Sequence, residues 1–276
     1  MSNIAQVIES FNHNRKFGLE LECFGLTRAE VKALLVANNI PAWGYNDAHD
    51  GTPCWRVCSD GSIDTYNRGE SVELVSPILS GREGLRQVAQ VVKLMADAGA
   101  RVNKSCGFHV HVNARDISGT SIANIVRRYA RHEAAIDGFM VHSRRGSTNS
   151  YCRSTDQIVS RFSTVAVNAT AESMASLASR ENYDDVTGQY AGGRYHKINL
   201  CAFLRHGTVE FRHHGGTMSP SKVINWIAFC VTFFENSLAS DTEELFAGMD
   251  PSMVAFFNER AVALAAPPVV RPMRRR

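Results

Sequence analysis

Three stretches of this 276-residue chain alternate polar and apolar residues and place their polar members two apart: Glu20 and Glu22 in FGLELECF, His109 and His111 in CGFHVHVN, and Glu210 with Arg212 in GTVEFRHHGGT. Successive side chains of a β-strand point to opposite faces. Each polar pair therefore shares one face, while Leu19 and Leu21, Phe108 and Val110, or Val209 and Phe211 take the other. An antiparallel sheet with one wet face has this pattern, but such a face carries mainly Lys, Thr and Ser. Glu, His and Arg are instead the residue types that hold divalent cations and phosphates. A structural charge network is the competing account of the same pattern.

The chain is long enough to enclose a sizeable core, and its 44% hydrophobic content is ordinary for a globular protein. It has no run of about eighteen apolar residues that would span a bilayer, and MSNIAQVIESFNHNRK lacks the apolar centre of a signal peptide. A soluble, cytoplasmic protein without membrane association is expected. Seven scattered cysteines, an odd number, are expected to be reduced. Cys54 and Cys58, with His49 nearby, have no second pair at metal-ligand spacing. The net charge of +3 owes its sign to four arginines in the terminal RPMRRR, without which acidic residues outnumber basic ones by one. The body thus has no basic surplus for nucleic acid, and the tail alone is left as a route to such a partner.

Along the chain, Thr27 and Glu30 form a capping box opening a helix that ends near Asn38 and Asn39. Residues 43–64 read as a hairpin running through Trp55–Val57 to a turn at Asp60–Ser62, followed by a strand, SVELVSPIL, that carries Glu73. A second capping box at Ser80 and Glu83 opens an amphipathic helix with Leu85, Val88, Val91, Val92 and Met95 on one side, closed by Gly99. The His-x-His strand comes next, then a long helix over about 118–142 and a polar loop. Residues 155–193 contain a short helix near 157–162 and a glycine-rich stretch. Two strands, RYHKINLCAF and TVEFRHH, are read as joined by a hairpin turn at His206-Gly207. Helices begin at Ser219-Pro220 and cover about 251–265. Strands in hairpin-like neighbours, without regular βαβ units, indicate an α+β fold: an antiparallel sheet with helices on one face. The domain is expected to cover 1–266 and the basic, disordered tail 267–276.

Hard divalent cations such as magnesium take oxygen ligands, and Glu20, Glu22, Glu73 and Glu210 can supply them. Of His109 and His111, one is expected to be a ligand. Arg212 is the best-placed cation for a transferring phosphate, with an ion pair to a neighbouring Glu as its structural alternative. Lys197 and Arg145 are secondary candidates, although Arg144 and Arg145, paired in a polar loop, also read as solvated. Zinc hydrolysis competes, because zinc favours imidazole. It lacks a helical His-Glu-x-x-His motif and an obvious third histidine, for which His213 and His214 are the remaining candidates.

Taken together, GLELE, DGSI, ESVELVSPIL, GFHVHVN, SRRGSTNSYC, RYHKINL and GTVEFRHHGGT resemble, in order and spacing, the amidoligase family of the carboxylate–amine ligase superfamily, which includes glutamine synthetase and glutamate–cysteine ligase. The resemblance runs from about Phe17 to Trp226. It implies a curved antiparallel sheet of the glutamine synthetase type whose concave face holds ATP and two or three divalent metals, Mg2+ or Mn2+. It also implies an ATP-dependent reaction that phosphorylates a carboxylate and lets an amine displace the phosphate to form an amide. Carried onto this sequence, Glu22 and Glu73 hold one metal, and Glu20, His109 or His111, and Glu210 hold another. Arg212 contacts the transferring phosphoryl group, Arg145 and Lys197 bind phosphate or the substrate carboxylate, and Asn199 orients one of them. Asp60 and Ser62 line the acid or amine pocket, and no general base stands out beyond Glu70 and Asp64.

The alternatives to a ligase are a phosphotransferase that stops at the phosphorylated product and a binding or scaffold protein that keeps the fold. The substrates are small-molecule or peptide acids and amines of unspecified identity, and oligomeric state is open.

Overall fold

The computed structural model describes residues 3–266 except 45–46, 48–50, 167, 180–182, 185–188 and 191–192. In chain order the helices are α1 (Asn3–Ser10), α2 (Arg28–Ala37), α3 (Gly81–Asp97), α4 (Gly119–Gly138), α5 (Asp156–Val159), α6 (Ala171–Ser179), α7 (Cys201–His206), α8 (Pro220–Ser237) and α9 (Pro251–Ala265). The strands are β1 (Phe17–Phe24), β2 (Ala42–Gly44), β3 (Trp55–Cys58), β4 (Ser71–Val75), β5 (Gly107–Asn113), β6 (Tyr183–Asp184), β7 (Gln189–Tyr190), β8 (Ile198–Asn199) and β9 (Thr208–Gly215). Seven of them form one sheet in the order β2-β3-β4-β1-β5-β9-β8, and among the described residues β6 pairs with β7 alone. The fold is α+β. The main sheet is antiparallel except at its edge, where β2 runs parallel to β3 instead of forming the expected hairpin arm. β3 does turn back, through residues 60–62, to pair with β4.

Alternation along the strands divides the sheet into two chemical faces. Leu19 and Leu21 of β1, Val72 and Leu74 of β4, Phe108, Val110 and Val112 of β5, and Val209 and Phe211 of β9 join one buried cluster. The same cluster holds Val88, Val91 and Val92 of α3, Ile122 and Val126 of α4, and Trp226, Ile227, Phe229 and Phe233 of α8. Burial of apolar area is the main favourable term here. Within it Trp226 stacks on Phe229 (5.0 Å, 9°), and Phe229 on Phe233 (5.6 Å, 25°). α8 is buried nearly all round, as its sequence implies. Among the described residues no helix is long and apolar enough to cross a membrane.

Local signals account for several boundaries. Thr27 and Glu30 form the expected reciprocal cap of α2, and Asn39 leaves it with a positive φ of 58°. The second expected capping box does not form. Leu79 is tied to Phe17 by two backbone hydrogen bonds of 2.8 Å and Gly81 turns left-handed (φ 61°), so Ser80 caps without a side-chain bond and Glu83 pairs with Arg86 instead. α4 stops at Gly138, earlier than its apolar periodicity suggested. The hairpin expected at His206-Gly207 is also replaced. After two residues of β8, Asn199 Oδ1 accepts from the Cys201 N–H (2.9 Å), α7 starts, and Gly207 ends it in the left-handed region (φ 69°).

Phe229→Ala is expected to destabilise the protein by about 3–5 kcal/mol, because it opens a cavity where the surrounding rings cannot collapse. Thr27→Ala should cost about 1 kcal/mol. Urea titrations of both variants check the values.

Candidate functional site

The polar face of the sheet forms the floor of a cavity of about 580 Å3. In register, Glu20 on β1 lies opposite His109 on β5, Glu22 opposite Glu73 on β4, and His111 opposite Glu210 on β9. Antiparallel pairing thus brings together residues that the sequence separates by 51, 89 and 99 positions. A bulge in β9 sets the direction of the side chains after Arg212. Phe108 pairs with His214 but Val110 with Phe211, so β9 carries one extra residue between them. Arg212 stays with the carboxylates, while His213 and His214 both turn to the helices. His213 lies 2.7 Å from Tyr129 Oη and 2.7 Å from Asp137 Oδ1, and His214 packs against Trp226. Burial lowers the pKa of both, His214 to about 3. Neither is available as the third histidine that the zinc reading needs.

At the centre, His109 Nδ1 is 3.0 Å from Glu20 Oε2 and 3.4 Å from Glu210 Oε1, with Nε2 3.9 Å from Glu22 Oε1. Gly107 makes this approach possible: a Cβ there would fall 2.6 Å from His109 Nε2, and its N–H donates to Glu22 Oε2 (2.6 Å). Arg212 Nη1 donates to Glu210 Oε1 (2.5 Å), and Asn199 Nδ2 donates to the other oxygen, Glu210 Oε2 (2.5 Å).

The electrostatics are those of crowded carboxylates. Burial, then the charges of Glu20, Asp60 and Glu22, push Glu73 up to about 8. Glu20 goes the other way: burial would raise it, but hydrogen bonds and charge from His109 and His111 hold it well below the usual carboxylate range. Burial also opposes ionisation of Glu210, and Arg212, His111 and His109 overcome it. Arg212 is raised in return, burial being outweighed by Glu210 and Glu20.

These residues fit a hard cation. One oxygen each of Glu20 and Glu210 and one nitrogen of His111 lie within 4.8 Å of one another. His111 Nδ1 is 3.0 Å from Thr208 Oγ1, which sets the ring and directs Nε2 toward the carboxylates. That Nε2 is buried without a well-aligned hydrogen bond, 3.4 Å from Glu20 Oε1 and 3.9 Å from Glu210 Oε1. Burial disfavours a charge on this ring, yet Glu210 and Glu20, the two carboxylates beside it, raise its pKa.

Ten of the twelve residues singled out in the sequence line this cavity: Glu20, Glu22, Asp60, Ser62, Glu73, His109, His111, Asn199, Glu210 and Arg212. Asp60 Oδ1 accepts from the Ser62 N–H (2.6 Å), which shapes the turn at the rim. Lys197 and Arg145 are placed elsewhere. Lys197 is fully buried between Glu133 Oε1 (2.8 Å) and Asp137 Oδ1 (2.7 Å). Arg145 donates to the carbonyls of Met140 (2.9 Å) and Gly138 (3.4 Å), closing the C-terminal end of α4. Its neighbour Arg144, read as solvated, is buried and lines the cavity, held by the Cys106 carbonyl at 2.7 Å. The one-residue difference arises from a 3-10 turn at His142–Arg144, whose phase the polar sequence does not disclose. Tyr151, Arg194 and Tyr195 also line the cavity, with Arg194 over the Tyr195 ring (4.7 Å) and Tyr151 edge-on to it (5.2 Å). All three fall inside SRRGSTNSYC and RYHKINL, two of the family-like segments, but the resemblance gave them no role. The glycine-rich stretch before Arg194 and His49 lie largely or wholly outside the described residues. Glu70 is paired with Arg28 and Asp64 accepts from the Tyr66 N–H, and neither lines the cavity.

Residues 13–234 match the model of a protein family described as "Putative amidoligase enzyme". No curated protein matches the chain. Among solved structures, the bifunctional glutathione synthetase from Pasteurella multocida is similar at a TM-score of 0.45 and 10% identity, over 95% of this chain and 48% of that one. The Plasmodium falciparum glutamine synthetase is similar at a TM-score of 0.38 and 11% identity, over 90% of this chain and 57% of that one. The chain thus spans about half the length of each.

Glu73→Gln tests the carboxylate crowding in metal-free protein. A carboxyl that titrates near 4.5 unfolded and near 8 folded stabilises below about pH 4.5 and loses that contribution as pH rises to about 8. Thermal melts should therefore show the variant matching wild type near pH 5 and gaining on it near pH 9. An identical pH dependence of the two would refute the repulsion.

Proposed function

The chain belongs to the amidoligase enzyme family, and on that premise we propose that it is an ATP-dependent ligase that joins a carboxylate to an amine through an acyl phosphate. The observation that carries this reading is the arrangement of Glu20, Glu22, Glu73 and Glu210 with two histidines and Arg212 on one sheet face inside a cavity. Phosphoryl transfer asks for positioning and charge neutralisation and needs no nucleophilic side chain. This face offers both.

Glu20, His111 and Glu210 would hold one Mg2+, and Glu22 with Glu73 a second, the ions supplying neutralisation of the nucleotide's phosphate charge. Arg212 is fixed by Glu210 and has its pKa raised, so it presents a permanent positive charge beside the carboxylates. Its role is to meet negative charge that develops on the transferring group. Asn199 keeps Glu210 oriented, because its side chain is itself fixed by the Cys201 N–H. Arg144, anchored on the Cys106 carbonyl, offers a second guanidinium at the cavity wall. Tyr151 and Tyr195 supply aromatic surface suited to a nucleobase.

Incubation with ATP, Mg2+, a pool of carboxylic acids and hydroxylamine as surrogate amine should yield a hydroxamate and ADP by mass spectrometry. Glu20→Gln and Glu210→Gln should abolish both products. ADP with a stable phosphorylated acid would replace the ligase by a phosphotransferase, and unimpaired turnover in either Glu variant would remove the metal assignment.

Metal binding has its own readout. Mn2+ titrated into the protein and followed by electron paramagnetic resonance should bind about tenfold or more weakly to Glu20→Gln and Glu210→Gln than to wild type. Arg212→Ala should leave Mn2+ binding in place while lowering kcat for hydroxamate formation by about a hundredfold or more.

A further inference from the structure

The carboxylate face has a second opening. A cavity of about 380 Å3 shares Glu20, His111, Arg205 and His206 with the larger one and extends past them along the strands. Its floor continues the same face of the sheet: Gly18 precedes Glu20 on β1, Asn113 follows His111 on β5, and Arg56 of β3 lies in register with Val75 of β4, itself opposite Glu20.

The second cavity is far more basic than the first, which sets five carboxylates against four arginines. Lys16, Arg56, Arg115 and Arg205 line it, together with His206, and among the described residues the sole carboxylate in its wall is Glu20. Glu20 is already engaged by the two histidines. None of the four basic side chains forms an ion pair with a described residue. Arg115 is also held in place. Its Nη2 donates to the His206 carbonyl (2.9 Å), and its side chain lies across Gly207, where a Cβ would fall 2.5 Å from Cγ and 2.7 Å from Cζ. The turn that ends α7 thus requires glycine for its left-handed φ and for the passage of this guanidinium.

We propose that the second cavity seats the acid substrate, and that this acid carries, besides the carboxyl to be ligated, at least one further anionic group, a carboxylate or a phosphate. The identity of the reacting carboxyl rests on the ligase reading above; the preference for a polyanion rests on the charge of the cavity alone. The strand rise sets the scale. Gly18 and Lys16 lie about 7 and 13 Å along the chain from Glu20, so the distal anion stands at roughly that distance from the carboxylate cluster. A monoacid would leave the basic groups without a partner, whereas a polyacid uses them to draw one end of the molecule away from the like-charged glutamates.

Binding to the metal-free full-length chain tests this without turnover. Propane-1,2,3-tricarboxylate and glycerol 2-phosphate are the two anionic probes, butyrate is the monoanion control, and calorimetry or saturation-transfer NMR is the readout. At least one probe is expected to bind tenfold or more tightly than butyrate, and to lose that margin in the Arg56→Gln/Arg115→Gln double variant and at high salt. Tighter binding of the tricarboxylate assigns the distal group as carboxylate, and tighter binding of the phosphate assigns it as phosphate. An Arg56→Lys/Arg115→Lys variant should keep most of the margin, and thermal melts should show all variants folded. Equal binding of butyrate and both probes, or an unchanged double variant, overturns the proposal. So does an equal loss of Mg-ATP affinity in the double variant, which would make the cavity the nucleotide's. Absence of hydroxamate with the binding pattern intact would count against the ligase reading and leave the anion site standing.

Discussion

The like charge of Glu20, Glu22, Glu73 and Glu210, gathered on one partly dehydrated sheet face, is the constraint on which the rest of the structure turns. Two unit charges 4 Å apart interact by about 4 kcal/mol at an effective dielectric near 20, so such a group cannot stand unrelieved. Relief comes in three forms. His109 and His111 lie between the carboxylates, Arg212 pairs with Glu210, and Glu73 keeps its proton up to about pH 8. Each of these is a substitute for bound positive charge. Glu20, His111 and Glu210 thus gather ligand atoms within reach of one cation, the feature on which the proposed phosphoryl chemistry draws.

Holding the face together requires a rigid support, and the opposite side of the same strands provides it. Leu19, Leu21, Phe108, Val110, Val209 and Phe211 are anchored on α3, α4 and α8, whose aromatic residues fill the centre of the core. Because side chains alternate, every apolar residue pressed into the helices sets the direction of its polar neighbours. The repulsion that these contacts leave on the carboxylate face is offset by apolar burial on the reverse of the same strands. The buried Lys197 extends this support. Bridging Glu133 and Asp137 of α4, beside His213 of β9, it ties the strand bearing Glu210 and Arg212 to a core helix.

Charge also divides the polar face lengthwise. Toward Glu22 and Glu73 it is dominated by carboxylates, and toward Gly18 and Asn113 it is bordered by basic side chains, with Glu20 and His111 at the boundary. Acidic and basic regions thus adjoin along one set of strands.

The sequence by itself determined the two-faced strands and the identity of the carboxylate set, because a period of two fixes which residues share a side before any partner strand is known. It also determined the apolar helices, the cap at Thr27 and the family motifs spread from Phe17 to Trp226. Tertiary structure decided what depends on partners and on phase. The bulge in β9 sent His213 and His214 to the core, where periodicity alone had left them available. A 3-10 turn brought Arg144 to the cavity and Arg145 to the end of α4, a difference of one position that polar residues do not encode. Lys197 became a buried brace because α4 offers two carboxylates to it. The basic cavity is assembled from Lys16, Arg56, Arg115 and Arg205, four isolated residues with no local pattern, which only strand pairing and the turn at Gly207 bring to one place.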